Sequence, residues 1–392
     1  MEDSNAQYPG NRWVILGVMS LSLVIVMLNN VTLNVALPDL STDLSADNSE
    51  LQWIMDAYAL VFGGTLLVMG ALGDRFGRKG ALQIGLIIVG AASAWTAFYA
   101  DSSTDVIIAR ATMGLGAALV MPSTLSVVLV VFPPEERGKA IGIWAAMAGV
   151  GAPIGLLVGG WAVETYDWEM VFLINVPIII FALDAGAVIV PRSKDNEERP
   201  LDAVGALLSV VTLGTLLYGI IEGPSIGWTN TGVMGAFVIS IVSGFLFVYW
   251  QRRTEFPLLP LDFFKNPRFS IGLIAIAMAF FVMFSFMFMQ MLHFQLVRGH
   301  SPFSAAIRFF PLPIGLMPAA ANSDRLVAKF GRPNVISTGL CLVATGLFLF
   351  TQVNIDTSYA QIAATFFFLG IGMGLTMAPS TTAVMDAIPH SK

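Results

Sequence analysis

The chain has 392 residues, of which 56% are hydrophobic and 12% are charged, and its formal net charge is −6. Soluble proteins carry about 25% charged residues, so this composition and a mean hydropathy of +0.76 exclude a water-soluble enzyme and indicate a polytopic membrane protein. The acidic balance provides no basic surface for a nucleic-acid partner. The single cysteine, Cys341, excludes a disulfide framework, and the three histidines lack the spacing of a metal site.

Apolar segments long enough to cross a bilayer follow one another along the chain. A membrane helix needs about 20 mostly apolar residues. This rule predicts 12 spans, near residues 13–37, 51–72, 81–99, 106–131, 140–163, 170–190, 201–222, 232–250, 269–297, 303–322, 334–352 and 359–380. The acidic flank formed by Glu2 and Asp3, followed by a long apolar run, argues against a cleavable signal peptide. We therefore expect a multi-pass, all-α protein of the cell membrane.

Basic residues concentrate in alternate loops. Seventeen of the 20 lysines and arginines fall in the two tails and the even-numbered loops, whereas the odd-numbered loops carry acids such as Asp39, Asp43 and Asp101. The positive-inside rule then predicts that both termini are cytoplasmic.

Two polar stretches, residues 191–200 and 251–268, divide the spans into groups. We expect a six-helix bundle over residues 1–190 and an accessory two-helix hairpin over 201–250. A four-helix bundle should follow over 269–392. The predicted organisation is 6 + 2 + 4, with the two polar stretches as cytoplasmic linkers.

One loop sequence occurs twice. Residues 70–79 (GALGDRFGRK) follow span 2, and residues 323–332 (SDRLVAKFGR) follow span 10. Glycine permits a tight turn, a carboxylate can cap a neighbouring helix, and the arginines could reach acids on another bundle. The alternative is that short cytoplasmic loops simply collect basic residues. The repeat predicts a cytoplasmic latch between two half-bundles, formed by Gly70, Asp74, Arg75, Gly77, Arg78, Asp324, Arg325 and Arg332.

These strings resemble the signature loop of the major facilitator superfamily. Residues 27–38 (MLNNVTLNVALP), 53–58 (WIMDAY) and 110–118 (RATMGLGAA) resemble the first-, second- and fourth-helix motifs of its drug:proton antiporter branch with 14 spans. Residues 149–160 and 168–177 resemble the fifth-helix motif and its sequel. The resemblance implies two pseudo-symmetric bundles around a substrate cavity and alternating access. It also implies that the proton gradient, and no cofactor, drives transport.

The position of the second loop copy bears on the number of spans. It follows span 10 instead of span 8, which makes spans 7 and 8 an inserted hairpin, as in the 14-span branch. The family plan would continue into two more spans after span 12, so we expect a truncated C-terminal bundle.

Asp56 and Arg110 are the predicted proton-coupling residues. Asp56 lies about one and a half turns into span 2, where an ionisable group is costly and indicates function. A carboxylate there can hold either a proton or a cationic substrate, and the resemblance attributes this role to the position. Arg110, near the outer end of span 4, could organise a proton path. The alternatives are an interfacial Asp56 facing water and an Arg110 that snorkels to the outer interface.

Other polar residues complete the predicted substrate cavity. Asn29 occupies a first-helix position where the family carries Asp, and its amide cannot titrate. Gln290 and His293 form a polar line in a span rich in Met and Phe, whereas Glu222 is interpreted as an outer-loop residue. The predicted cavity residues are Asn29, Asn34, Asp56, Gln290 and His293. Gly151, Gly155 and Gly159 form a small-residue ridge expected to pack against another helix.

The leading functional hypothesis is export of lipophilic, cationic compounds in exchange for protons. The Asn29 departure favours an alternative, a metabolite exporter or facilitator with weaker proton coupling. A third possibility is a truncated membrane protein that does not transport. A small-molecule substrate and the lipid bilayer are the expected partners, and the oligomeric state stays open.

Overall fold

A computed structural model describes residues 10–193, 202–354 and 356–386. The chain divides into two units, residues 1–259 and residues 260–392. The helices described in unit 1 are α1 (Arg12–Val31), α2 (Leu33–Asp43), α3 (Asn48–Phe76), α4 (Arg78–Tyr99), α5 (Ser103–Val131), α6 (Pro134–Thr165), α7 (Met170–Leu173), α8 (Asn175–Ile189), α9 (Ala203–Ile226) and α10 (Thr231–Gln251).

Unit 2 begins with a 3₁₀ turn at Leu261–Lys265, and a π-helical turn at His293–Val297 extends its first long helix. Its α-helices are α11 (Pro267–Leu292), α12 (Pro302–Arg308), α13 (Pro311–Ala321), α14 (Ser323–Phe330), α15 (Arg332–Phe350) and α16 (Tyr359–Asp386). Helix α16 packs against α11, α13 and α15.

The described residues contain 11 helical segments that are long and apolar enough to cross a membrane. Each overlaps one predicted span, which confirms the all-helical membrane architecture. The remaining predicted span, 140–163, coincides with α6, several of whose side chains lie outside the described set. Of the predicted linker 191–200, only residues 191–193 are described, and the other seven lie outside the described residues.

The predicted first span is divided in the structure, because α1 ends at Val31 and α2 begins at Leu33. Two polar side chains at the break donate hydrogen bonds to backbone carbonyls one turn earlier in α1. The Asn29 amide donates to the Ile25 carbonyl (2.9 Å), and the Thr32 hydroxyl donates to the Leu28 carbonyl (2.6 Å). Such bonds compete with regular helical hydrogen bonding and bend helices.

Glycine contacts bring helices together in the same way in both units. In unit 1, a Cβ at Gly116 would lie 2.7 Å from the Gly85 carbonyl oxygen. In unit 2, a Cβ at Gly372 would lie 2.7 Å from the Gly339 carbonyl oxygen. The α4–α5 and α15–α16 crossings therefore both need glycine, since any side chain would force the backbones apart.

The hairpin α9–α10 belongs to unit 1 and is held at its base by a buried carboxylate. Asp202 accepts hydrogen bonds from the Gly205 amide (2.8 Å), the Trp250 indole (2.6 Å) and the Gln251 amide (2.7 Å). Burial alone would raise the pKa of Asp202, but these bonds and one from the Leu258 amide outweigh it and lower the pKa. The cluster joins the beginning of α9 to the end of α10.

Candidate functional site

The most deeply buried charge in the described structure is the guanidinium of Arg110, on α5. Its residue is 1% exposed. Nε donates to the Ile54 carbonyl of α3 (3.0 Å), and Nη1 donates to the Asn29 carbonyl of α1 (2.6 Å). The guanidinium carbon lies 4.5 Å from the centre of the Tyr58 ring. The alternative interpretation, in which Arg110 snorkels to the outer interface, is therefore wrong, because the side chain joins three helices.

The partners of Arg110 follow from local structure. Asn29 lies in the last turn of α1, where backbone carbonyls are not all used by the helix itself. The break before α2 thus supplies a backbone acceptor in the buried interior. Nη2 of Arg110 is buried and has no hydrogen-bond partner among the described residues. This leaves the two N–H donors of Nη2, on a permanently charged group, available to an incoming acceptor.

Tyr58 closes the other side of the guanidinium. Its hydroxyl donates to the Val26 carbonyl of α1 (3.0 Å), and its ring stacks on Phe62 at 6.0 Å. A Cβ at Gly114, one turn after Arg110, would lie 2.5 Å from the Tyr58 carbonyl oxygen. The close approach of α3 and α5 at this glycine brings the Tyr58 ring and the guanidinium together. An arginine over an aromatic face gains a cation–π interaction when desolvated.

Asp56 lies on α3 near this group and is half-buried. Its carboxylate is within electrostatic range of Arg110, yet the bonded partners of Arg110 are carbonyl oxygens and a ring. No hydrogen bond to the Asp56 carboxylate is found among the described residues. The carboxylate therefore has acceptor capacity for a proton or a cation.

The predicted cavity residues on the first span have buried side chains. Asn29 and Asn34 are 4% and 1% exposed. The Asn34 amide donates to the Val31 carbonyl (3.0 Å), as the Asn29 amide does to Ile25. Both amide nitrogens are thus engaged with the break in the helix. It is the backbone of Asn29, and not its side chain, that meets Arg110.

The first copy of the repeated loop is tightly organised. Asp74 pairs with Arg78 across the loop, with 2.6 Å between Oδ1 and Nε. Gly77 has φ of +124°, a conformation that side chains disfavour. Arg75 lies over the ring of Phe76 at 5.4 Å, and a Cβ at Gly70 would lie 3.2 Å from Pro122.

The neighbouring lysine caps another helix. Lys79 Nζ donates to the carbonyls of Ala187 (2.6 Å) and Val190 (2.8 Å), at the end of α8. A cation at a helix C-terminus is favourable because the last carbonyls carry partial negative charge. Within unit 1 this loop therefore fastens α3, α4 and α8 at one end.

The second copy keeps the same turn. Gly331 has φ of +83° between Phe330, which ends α14, and Arg332, which begins α15. Asp324 lies in the first turn of α14, and Arg325 donates to Asn322 Oδ1 (3.4 Å). The Phe-Gly-Arg turn therefore recurs, whereas the Asp-Arg pair begins a separate short helix in place of ending a long one.

The glycine ridge of α6 lies along α1. A Cβ at Gly151 would lie 3.1 Å from Met27, and one at Gly155 would lie 3.2 Å from Leu28. A Cβ at Gly159 would meet Thr32 at the break between α1 and α2. The ridge thus lets α6 approach the irregular part of the first span.

Gln290 and His293 lie at the predicted outer end of α11 in unit 2. Gln290 is 2% exposed, and its Oε1 has no partner among the described residues. His293 starts the π-helical turn, and its Nε2 accepts a hydrogen bond from Arg298 Nε (3.2 Å). Arg298 Nη2 also donates to the carbonyls of Asn354 (2.7 Å) and Thr357 (2.9 Å).

The interpretation of Glu222 as an outer-loop residue is wrong. It lies inside α9, and its Oε1 accepts hydrogen bonds from Ser49 Oγ (3.0 Å) and Trp53 Nε1 (2.9 Å) of α3. The Gly-Pro pair after it suggests a loop, but the helix continues through Pro224 to Ile226. An acid at the end of an apolar span is the available signal, but its two partners, 169 and 173 residues earlier, are not visible from the pattern.

Comparison with known families gives one profile that matches nearly the whole chain. The profile is that of the Major Facilitator Superfamily, and it matches residues 19–392. The chain is 33% identical to the multidrug efflux pump LfrA of Mycolicibacterium smegmatis over 99% of this chain and 77% of that protein. It is also 33% identical to the methylenomycin A resistance protein of Bacillus subtilis, over 95% of this chain and 80% of that protein.

Solved transporter structures share the fold. A bacterial homologue of the human lysosomal transporter Spinster superimposes with a TM-score of 0.67 at 18% identity, covering 96% of this chain and 75% of that one. The peptide transporter POT in complex with sulfate gives a TM-score of 0.69 at 15% identity, covering 98% and 86%. At these identities the similarity establishes the architecture alone.

Proposed function

The chain belongs to the major facilitator superfamily and is a membrane transporter, and we propose that it exports lipophilic, cationic compounds in exchange for protons. The observation that carries the proposal is the buried Arg110, bonded to α1 and α3 and within electrostatic range of the unbonded Asp56 carboxylate. Buried ionisable groups in membrane spans mark ion and substrate pathways. Two relatives named as a multidrug efflux pump and a methylenomycin A resistance protein support the export of drug-like compounds.

The exchange follows from one carboxylate with two mutually exclusive occupants. A proton neutralises Asp56, and so does a lipophilic cation, but both cannot do so at once. Arg110 keeps its charge throughout, because carbonyl oxygens and the Tyr58 ring stabilise it independently of Asp56. Alternating access of the kind implied by the family then carries the proton inwards and the cation outwards.

The proposal is tested with purified protein in proteoliposomes, using tetraphenylphosphonium as the lipophilic cation and an internal pH dye. Wild-type protein should move protons when the cation is added. Asp56→Asn should abolish that movement, because an amide cannot bind the proton. Asp101→Asn, a change at an exposed outer acid, is the matched control and should transport normally. Unchanged exchange in Asp56→Asn would overturn the assignment.

A second candidate is a facilitator with little proton coupling. It is favoured by Asn29, which stands where the resemblance places an acid and whose amide is bonded to Ile25. Such a protein would equilibrate its substrate without any pH change inside the vesicles. The same pH measurement therefore separates the two functions.

The 14-span branch and the orientation with both termini cytoplasmic are part of the proposal. The hairpin α9–α10, packed within unit 1, supports the branch. Because Cys341 is the only cysteine, single cysteines can be placed in a Cys341→Ala background. Cysteines beside Lys79 and Arg332 should be labelled from the cytoplasmic side, and one at Asp101 from outside.

A further inference from the structure

The accessory hairpin contacts α3 along one stripe of residues. Glu222 accepts hydrogen bonds from Ser49 and Trp53 near the predicted outer end. Further along, Leu60 lies 3.8 Å from the position of a Cβ on Gly214, and Val210 lies 2.9 Å from that of a Cβ on Gly64. These contacts follow the spacing of one helical face, so α9 packs along a single side of α3.

Asp56 stands in the middle of that stripe. It comes seven residues after Ser49, three after Trp53 and four before Leu60. Residues at these intervals share a helix face. The hairpin therefore holds α3 on both sides of Asp56, and a rotation of α3 against α9 would move this carboxylate.

The contact between α3 and α9 is stronger at one end than at the other. At the Gly64 end, a cavity of about 290 Å³ opens between the helices, lined by Gly63, Leu67, Thr212 and Leu213 among others. At the other end, one carboxylate oxygen receives two hydrogen bonds, and the Trp53 ring lies 6.4 Å from that of Tyr218. Hydrogen bonds to a charged acceptor are the stronger kind, so Glu222 is the firmer attachment.

The hydrogen bond between Glu222 and Trp53 lies next to the site of Arg110. Trp53 precedes Ile54, whose carbonyl accepts the hydrogen bond from Arg110 Nε. The path from Glu222 to Arg110 thus passes through one indole and one peptide unit of α3. By holding Trp53, Glu222 limits the rotation of α3 about its axis. It thereby constrains both the direction of the Ile54 carbonyl and the direction in which the Asp56 face of α3 points.

We infer that Glu222 is a positioning residue for proton coupling: through Trp53 it sets the orientation of α3 that keeps Asp56 within electrostatic range of Arg110. The inference rests on the proposed role of Asp56 and gives the hairpin a function. Glu222 touches neither the proton nor the substrate, and it acts by holding the helix that carries the coupling carboxylate.

The test compares Glu222→Ala, Glu222→Gln, Trp53→Phe and the double variant Glu222→Ala/Trp53→Phe in the tetraphenylphosphonium–proton assay, measured across a series of pH values. Loss of the contact should lower proton-coupled exchange about tenfold and displace its pH profile, because hydrogen bonds to charged groups are strong enough for that effect. Glu222→Gln keeps an acceptor for the indole and should retain most activity. The double variant should be no worse than either single variant.

The outcomes separate this inference from the proposed function. An unshifted pH profile in both Glu222→Ala and Trp53→Phe, when Asp56→Asn abolishes exchange, overturns the positioning role alone. Normal exchange in Asp56→Asn overturns the proposed function. Additive losses in the double variant would also count against a shared path. If Glu222→Ala does not fold, as judged by its thermal melt in detergent, Trp53→Phe and Glu222→Gln carry the test.

Discussion

The two units pack their helices through the same kind of glycine contact, but the buried side chain next to that contact is charged in one unit and aromatic in the other. Gly114 approaches the carbonyl of Tyr58 in unit 1, and Gly370 approaches the carbonyl of Leu312 in unit 2. One turn before each of these glycines stands a residue with a large, fully buried side chain. That residue is Arg110 in unit 1 and Phe366 in unit 2.

The surroundings of the two residues match their chemistry. Arg110 is held by two backbone carbonyls and the Tyr58 ring. Phe366 is fully buried and lies 5.0 to 6.5 Å, ring centre to ring centre, from four other phenylalanines, Phe286, Phe294, Phe309 and Phe350. Small residues thus fix the helix crossings, while the residue one turn away decides whether the core is charged or apolar.

Removing the charge should have the largest effect on transport. Arg110→Ala should reduce proton-coupled exchange by about a hundredfold or more, since it deletes two hydrogen bonds from a charged group, each contributing about 1.5–3 kcal/mol. Arg110→Lys should fall between Arg110→Ala and wild type, because lysine keeps the charge but lacks the planar donor fork. Wild-type exchange rates in Arg110→Ala would remove the functional difference between the two cores.

The matching change in unit 2 should affect stability and leave coupling intact. Phe366→Ala should destabilise the protein by about 3–5 kcal/mol, the usual cost of emptying a buried aromatic position. The pH profile of exchange, measured per folded molecule, should be the same as that of the wild type. A displaced profile would show that the aromatic core of unit 2 also takes part in proton coupling.

Because both units use the same glycine contacts, substitution of equivalent glycines by alanine should reduce stability equally in the two units. Gly116→Ala and Gly372→Ala should each cost about 1–3 kcal/mol, the range for forcing extra atoms into a packed interior. Gly63→Ala and Gly235→Ala are controls within helices, because a Cβ there meets nothing within 4 Å. Thermal melts in detergent measure all four. A strong effect in only one unit would contradict the structural equivalence.

The smallest effect is expected at the base of the hairpin, which belongs to unit 1. The pKa of Asp202 is lowered in the folded protein, so its ionised form favours folding above the pKa of an unfolded aspartate, about 3.9. That contribution is lost as the pH falls through the folded value. Thermal melts should therefore give Asp202→Asn a free energy of unfolding about 1 kcal/mol lower than that of the wild type at neutral pH. This difference should shrink below pH 4. A difference independent of pH would exclude this carboxylate as its source.

Much of the architecture was predictable because membrane spans obey a simple rule. With no water in the bilayer core, each span must satisfy its own backbone as a helix of about 20 apolar residues. Hydropathy alone therefore located the 11 membrane-length helical segments found in the described residues, and the recurrence of Phe-Gly-Arg located equivalent turns at Gly77 and Gly331. The same pattern could not reveal that Asn29 and its neighbours break the first span.

The sequence by itself determined that the protein lies in a membrane, where its spans are and which family it belongs to, because these properties depend on local composition and on short motifs. Only the tertiary structure decided which polar groups meet. Arg110 finds the Asn29 carbonyl 81 residues away, and Trp53 finds Glu222 at a separation of 169 residues. Such partners are set by helix packing, because glycine contacts bring the backbones close enough for one side chain to reach a second or third helix.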